Sequence, residues 1–294
     1  MPERRHVTRV FDTHHHVGEL ALGIEEVTGE AAVTRKADEH RAMLDDFGIT
    51  AVAVIPGFQY ERTRGIDDTR RINTDIASYR DADRTRFPVA LGILEPLYDL
   101  KANEEELERL VSELQIDGIA WHTRYQAVAV SDRRMHQLVE RVADRGLPCY
   151  VHMFYESGLE SPWMLIDLAR AHPEATIVAL DAFSGATNVR WMDDIAERCP
   201  NVLFDTAIAF PLLRPIDSFV EKFGSERLLF GTDSYAKPLL YNYPSSLNEL
   251  LYSPMPQQDL EAILGGNFLR LFPQAVERIE AASTERGDAD AVTR

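Results

Sequence analysis

Gly118-Ile119-Ala120-Trp121-His122, Pro148-Cys149-Tyr150-Val151-His152 and Thr176-Ile177-Val178-Ala179-Leu180-Asp181 are three near-continuous apolar runs of strand length, each closed by a polar residue. Helical spacing separates them, over Arg133–Arg145 and again in the segment that Ser161-Pro162 opens and Pro173 closes. Ser followed by Pro is the N-cap and N1 order of a helix start. Strands that are apolar on both faces belong to parallel sheets covered by helices.

The same unit recurs outward in both directions. Arg9–Thr13, Thr50–Ile55 and Pro88–Ile93 precede the central runs, and Asn201–Thr206 and Arg227–Asp233 follow them. Thr34–Phe47 places Ala37, His40, Leu44 and Phe47 on one face, with Gly48 as a C-terminal stop. Asn103 with Glu106 resembles a capping box, after which Leu107, Leu110, Val111 and Leu114 repeat at helical spacing. Further helices are expected over Thr69–Ala82, Asn188–Arg198, Ile216–Phe223 and Gln257–Leu264. Eight strand–helix units of about 35 residues predict an α/β fold, a (β/α)8 TIM barrel, as one domain over residues 1–280. No Gly-rich turn follows the first strand, which disfavours an open dinucleotide-binding sheet. The segment 281–294 lacks apolar periodicity and reads as a flexible tail.

The chain has 294 residues, with 31 Lys+Arg against 48 Asp+Glu and a net charge of −17. That balance argues against nucleic acid or an anionic membrane as partner, since both reward clustered basic charge. A 45% hydrophobic content is enough for a large core. Cys149 and Cys199 make no disulfide framework in a chain of this size. The opening MPERRHVTRVFD has no apolar h-region, and no apolar run nears the roughly 20 residues that span a bilayer. The expectation is a soluble cytoplasmic protein acting on a small molecule.

Chemistry concentrates at strand ends. In Asp12-Thr13-His14-His15-His16, residues two apart on a strand share a face, so His14 and His16 can aim at one ion while His15 turns away. Neutral imidazole suits Zn, Mn, Fe or Ni. His152 closes the fifth strand, where barrel enzymes carry functional groups. Asp233, in Leu228-Leu229-Phe230-Gly231-Thr232-Asp233, closes the eighth, and a buried carboxylate there needs a cation or donors. These four converge on one mouth and leave room for a water that a metal would activate, with Asp233 as its base.

HxH within DTHHHVG, YVHM, LLFGTDS and the late GGNFLRLF resemble the amidohydrolase superfamily, and more narrowly its amidohydrolase-related, aminocarboxymuconate-semialdehyde decarboxylase-like branch. The likeness spans roughly residues 9–273. It implies a divalent ion, usually zinc, on His14, His16, His152 and Asp233, and hydrolysis or non-oxidative decarboxylation of a small carboxylated or cyclic substrate. It also suggests a homodimer. One departure stands out: the branch usually ends its sixth strand with a histidine, and here Asp181 takes that place. Asp181 can accept a proton, or become an extra ligand that favours a harder ion such as Mn2+. His122, Arg124 and Tyr125 follow the fourth strand as candidates for binding substrate, Arg124 by a bidentate contact to a carboxylate. Asp205 reads as a hydrogen-bond acceptor behind the site. The sequence thus favours a metal-dependent hydrolase of an amide, lactam or lactone, because the usual proton partner of the decarboxylases is missing. The alternatives are a non-oxidative decarboxylase and an inactive metal-binding barrel.

Overall fold

The computed structural model describes residues 3–17, 29–58, 60, 62–209, 214–235 and 244–281. Strands and helices alternate as β1 (Phe11–Val17), α1 (Gly29–Phe47), β2 (Ala51–Pro56), α2 (Ile66–Ala82), β3 (Val89–Ile93), α3 (Leu100–Ser112), β4 (Gly118–Trp121), α4 (Arg133–Ala143) and β5 (Cys149–His152). They continue as α5 (Pro162–Ala171), β6 (Ile177–Leu180), α6 (Ala186–Arg198), β7 (Val202–Asp205), α7 (Pro215–Phe223), β8 (Leu228–Leu229) and α8 (Ser245–Tyr252). All seven neighbouring pairs from β1 to β8 are parallel. The last strand returns to the first through Thr13 N–H to Phe230 O at 2.8 Å, Asp233 N–H to His14 O at 2.8 Å and His16 N–H to Ser234 O at 2.9 Å. The result is the (β/α)8 barrel that the repeating units predicted.

Alternation along each strand divides the apolar side chains into two sets. Ala51, Ala53, Ile55, Leu91, Ile93, Ala120, Tyr150, Val178, Leu180 and Leu229 fill the barrel interior. Val52, Val54, Ala90, Ile119, Trp121, Val151, Ile177, Ala179 and Phe204 face outward under the helices. Trp121 therefore belongs to the layer between sheet and helices.

Several boundaries differ from the sequence expectation. The apolar run expected over Arg9–Thr13 begins two residues later, and β1 runs from Phe11 to Val17 and carries all three histidines, as their strand spacing implied. A register shift between Asp12 and His15 marks a bulge: Asp12 pairs with Val52 and His15 with Val54, so both lie on the outer face, with two residues between them instead of one. The bulge lets Thr13 and His14 both turn inward, and His16 follows two residues later. The eighth run is shorter than expected; only Leu228–Leu229 is strand, and Asp233 lies beyond it at φ 53. Asn103 is not a cap. The N-cap of α3 is Asp99, which accepts from Lys101 and Ala102 N–H, while Asn103 accepts Glu95 N–H at 2.9 Å and donates to Glu95 O at 3.0 Å.

Ser161 and Pro162 occupy the N-cap and N1 of α5 as read. Leu247, Leu250 and Leu251 of α8 join the outer core. After α8 come α9 (Gln257–Glu261), a π-helical turn at Ala262–Gly266 and α10 (Asn267–Leu271). Of the expected tail, all but residue 281 lies outside the described residues. Among the described residues, no helix is long and apolar enough to cross a membrane.

Asn103 ties the C-terminal end of β3 to α3, and removing its carboxamide leaves the buried Glu95 N–H unpaired. Asn103→Ala is expected to lower stability by about 1–3 kcal/mol in urea unfolding. An unchanged midpoint would show that this link carries no weight.

Candidate metal centre

Two buried histidines and a half-buried aspartate meet at the C-terminal mouth of the barrel. His14 Nε2 and His16 Nε2 lie 3.0 Å apart, and Asp233 Oδ1 sits 3.4 Å from the first and 3.1 Å from the second. The outer nitrogen of each ring is already engaged. His16 Nδ1 donates to Pro56 O at 3.0 Å, and a carbonyl can only accept, so the proton is on Nδ1. His14 Nδ1 meets Asp205 Oδ2 at 2.6 Å. With both rings neutral, the two Nε2 lone pairs aim at one point with a carboxylate oxygen. Three acceptors converging without a donor fit a cation, and the Asp205–His14 pair is the carboxylate–histidine support that metal ligands commonly have.

The third histidine repeats the pattern. His152 Nδ1 donates to Glu160 Oε2 at 3.0 Å, and its Nε2 points inward, where it meets Asp181 Oδ2 at 2.8 Å. The structure thus brings His14, His16 and Asp233 into one ligand group and places His152 one carboxylate away, across Asp181. Asp181 Oδ1 is buried with no hydrogen-bond partner among the described residues. The backbone N–H of Asp181 donates to Asp205 Oδ1 at 2.8 Å, and the residue holds φ 55. Asp181 and Asp233 both adopt this left-handed backbone at their strand ends, a conformation that Asp tolerates better than most residues.

Electrostatics follow from the crowding of carboxylates and imidazoles. Burial works against a charged His14, but Asp205, Asp233 and Asp181 outweigh it and raise its pKa to about 9. Burial likewise opposes charge on His152, and Glu160 and Asp181 overcome it, raising the value to about 10. His16 is lowered, with burial leading. Asp205 rises to about 6 because burial exceeds the pull of His14. Asp233 is resisted by burial yet held below its ordinary value by the His16 hydrogen bond and the neighbouring histidines.

The strand β4 candidates stand beside this centre. His122 stacks on His152 with ring centres 3.6 Å apart and donates from Nδ1 to Glu160 Oε1 at 2.7 Å. Burial and the charge on His152 lower its pKa to about 3, so His122 is neutral. Arg124 lies over the rings of Tyr125 and Phe154, and its N–H donates to Glu160 Oε1 at 2.8 Å. Tyr125 is exposed at the rim. Tyr235 stacks on His16 at 4.4 Å, whereas Lys237 lies outside the described residues. His15 turns outward as expected and contacts His40.

Glu160 is the functional residue that sequence reasoning missed. It follows His152 by eight positions in a loop, next to Ser161, and nothing in the sequence separates it from the other acidic residues. Asp12 was also passed over; its carboxylate accepts His14 N–H at 2.9 Å and Thr232 Oγ1–H at 2.6 Å, which fixes β1 against the Asp233 turn.

A family model described as amidohydrolase matches residues 11–274. The chain belongs to the amidohydrolase family. No curated protein sequence matches it significantly. Among solved structures it is similar to 5-carboxyvanillate decarboxylase from Sphingomonas paucimobilis, at 17% identity and TM-score 0.66, over 91% of this chain and 99% of that one. It is also similar to 5-carboxyvanillate decarboxylase from Novosphingobium aromaticivorans, complexed with manganese and 4-hydroxy-3-methoxy-5-nitrobenzoic acid. That match has 14% identity and TM-score 0.67, over 90% and 96% of the two chains. A third is 4-oxalomesaconate hydratase from Rhodopseudomonas palustris, at 15% identity and TM-score 0.68, over 96% and 99%. At these identities the likeness is one of fold.

Gly231 tests the amidohydrolase centre directly. A Cβ there would stand 2.9 Å from Asp205 Oδ2 and 3.0 Å from His14 Cβ. Gly231→Ala is expected to push Asp205 off His14 and to weaken divalent-ion binding about 10–100-fold, read by competition with a chromogenic chelator. Undiminished affinity would show that Asp205 does not support His14.

Proposed function

We propose that this amidohydrolase is a metal-dependent non-oxidative decarboxylase of a small carboxylic acid, with His14, His16, His152 and Asp233 holding one divalent ion, zinc or manganese. The observation that carries the reading is Arg124. Its guanidinium stands at the mouth over Phe154 and Tyr125, beside the cation centre, so the site offers an acid two positive anchors. The two 5-carboxyvanillate decarboxylases of the same fold support loss of CO2 over the hydrolysis that the sequence favoured.

When bound, the ion supplies a fixed positive charge that polarises substrate oxygens and balances the buried carboxylates. The residues of the chain do the rest. Arg124 and Tyr125 orient the acid, and His122 offers an uncharged Nε2 as an acceptor. Cleavage of the carbon–carboxylate bond leaves its electron pair on carbon, which must take up a proton. Asp181, whose Oδ2 meets the inward-pointing His152 Nε2 at 2.8 Å, is placed to hold and deliver that proton. Asp205 and Glu160 keep the histidine rings from turning.

A second reading, hydrolysis of a lactone or amide, is favoured by the same Asp181 carboxylate, which can equally accept a proton from water. Incubating the zinc- or manganese-loaded protein in D2O with hydroxylated benzoic acids and with lactones separates the two by mass spectrometry. Decarboxylation replaces CO2 by one deuteron in the product, whereas hydrolysis adds the elements of water. Turnover of lactones alone would overturn the first reading, and Asp181→Asn with undiminished turnover would remove Asp181 from either mechanism.

Metal uptake has its own pH signature. With pKa values of about 9 and about 10 in the metal-free chain, His14 and His152 are both protonated at neutral pH. Ligation needs bare Nε2 atoms, so binding near pH 7.5 is expected to release about two protons and to weaken as pH falls. Above both values the protons are already gone and release declines towards zero. Calorimetry in buffers of different ionisation heat measures the number, and release of none near neutrality would show that both histidines are already neutral in the metal-free chain.

A further inference from the structure

Glu160 is fully buried and sits in the loop between β5 and α5, where Leu159 O accepts Val130 N–H at 2.9 Å and so fastens this loop to the one after β4. Its two oxygens divide their partners between the two sides of the site. Oε2 takes His152 Nδ1 at 3.0 Å, and Oε1 takes His122 Nδ1 at 2.7 Å and Arg124 N–H at 2.8 Å. A carboxylate has no proton to give, so each imidazole must donate from Nδ1; neutral His122 then keeps its lone pair on Nε2, and the His152 Nε2, which faces Asp181 Oδ2 at 2.8 Å, is the atom whose lone pair is bared when its second proton leaves. His152 Nε2 then points at the centre. His122 Nε2 opens beside the Arg124 guanidinium, whose nitrogen lies 3.5 Å from it. The two rings lie nearly parallel, at 18°.

We infer that Glu160 is the positioning residue of this site: one carboxylate sets the tautomer of a metal ligand, His152, and of a substrate-facing acceptor, His122. His122 thereby supplies, from β4, an imidazole lone pair in a barrel whose β6 ends in Asp181 instead of histidine. A substrate hydroxyl, held by Arg124 through a neighbouring carboxylate, is the group that this lone pair accepts. The inference deepens the proposed function, since its His152 half rests on the metal reading.

The test reads nitrogen rather than turnover. Long-range 1H–15N NMR of histidine-labelled protein is expected to show His122 and His152 protonated on Nδ1, in the metal-free chain for His122 and with zinc for both. Glu160→Gln should disturb both tautomers and weaken zinc binding about 10–100-fold, the usual effect of removing such a support. His122→Phe should leave zinc affinity unchanged, because it removes only the substrate side. Protonation of His122 on Nε2 in the wild type overturns the proposal without any variant, and so does a folded Glu160→Gln protein with wild-type tautomers and zinc affinity. A wild type that takes up no zinc overturns the metal reading instead, and the His122 tautomer still decides the role of Glu160.

Discussion

A neutral imidazole has one proton for two nitrogens, and at this barrel mouth the outer nitrogen has an acceptor waiting for it each time. Asp205 receives it from His14, Pro56 O from His16 and Glu160 from both His152 and His122. The inner nitrogens are left as lone pairs. A set of lone pairs facing one another is unfavourable unless a cation or a proton lies between them. The raised pKa values of His14 and His152 and the pairing of His152 with Asp181 describe the same tension with protons in place of the ion. Everything else at the mouth serves this arrangement.

The barrel makes the arrangement rigid. His14 and His16 on β1 are tied to β7 and β2, and Glu160 in the loop after β5 ties His152 to His122 at the end of β4, so the pairs lock strands of the closed sheet together. The bulge in β1 turns Thr13 and His14 inward together, which gives Thr13 its 2.6 Å contact with Tyr150 and still delivers His14 and His16 to the centre. Asp12, on the outer side of the bulge, holds the Thr232 turn and thereby Asp233. The glycine at 231 leaves the space in which Asp205 reaches His14.

Much of this was legible in the chain. The eight apolar runs named the barrel, because parallel strands covered on both faces need near-continuous apolar side chains. HxH, His152 and Asp233 stood out because polar groups at the ends of such strands are costly without a purpose. The capping-box reading of Asn103 failed because its spacing matched a local pattern, while its carboxamide was engaged by Glu95 eight residues away. The apolar run of β1 stops at Thr13, and polar histidines look like the end of an apolar strand. Here they continue it, paired to β2 and to the turn after β8.

The sequence by itself determined the barrel and the identity of the inward-facing ligand candidates, since both depend on alternation and order along single strands. Only the tertiary structure decided which of the 48 acidic residues matter. Asp205, 191 residues from His14, and Glu160, shared by rings from two strands, acquire their roles when the sheet closes. A hydrogen bond is a fact of distance and direction in space, and no local pattern encodes the meeting of side chains from loops that separate strands bring together.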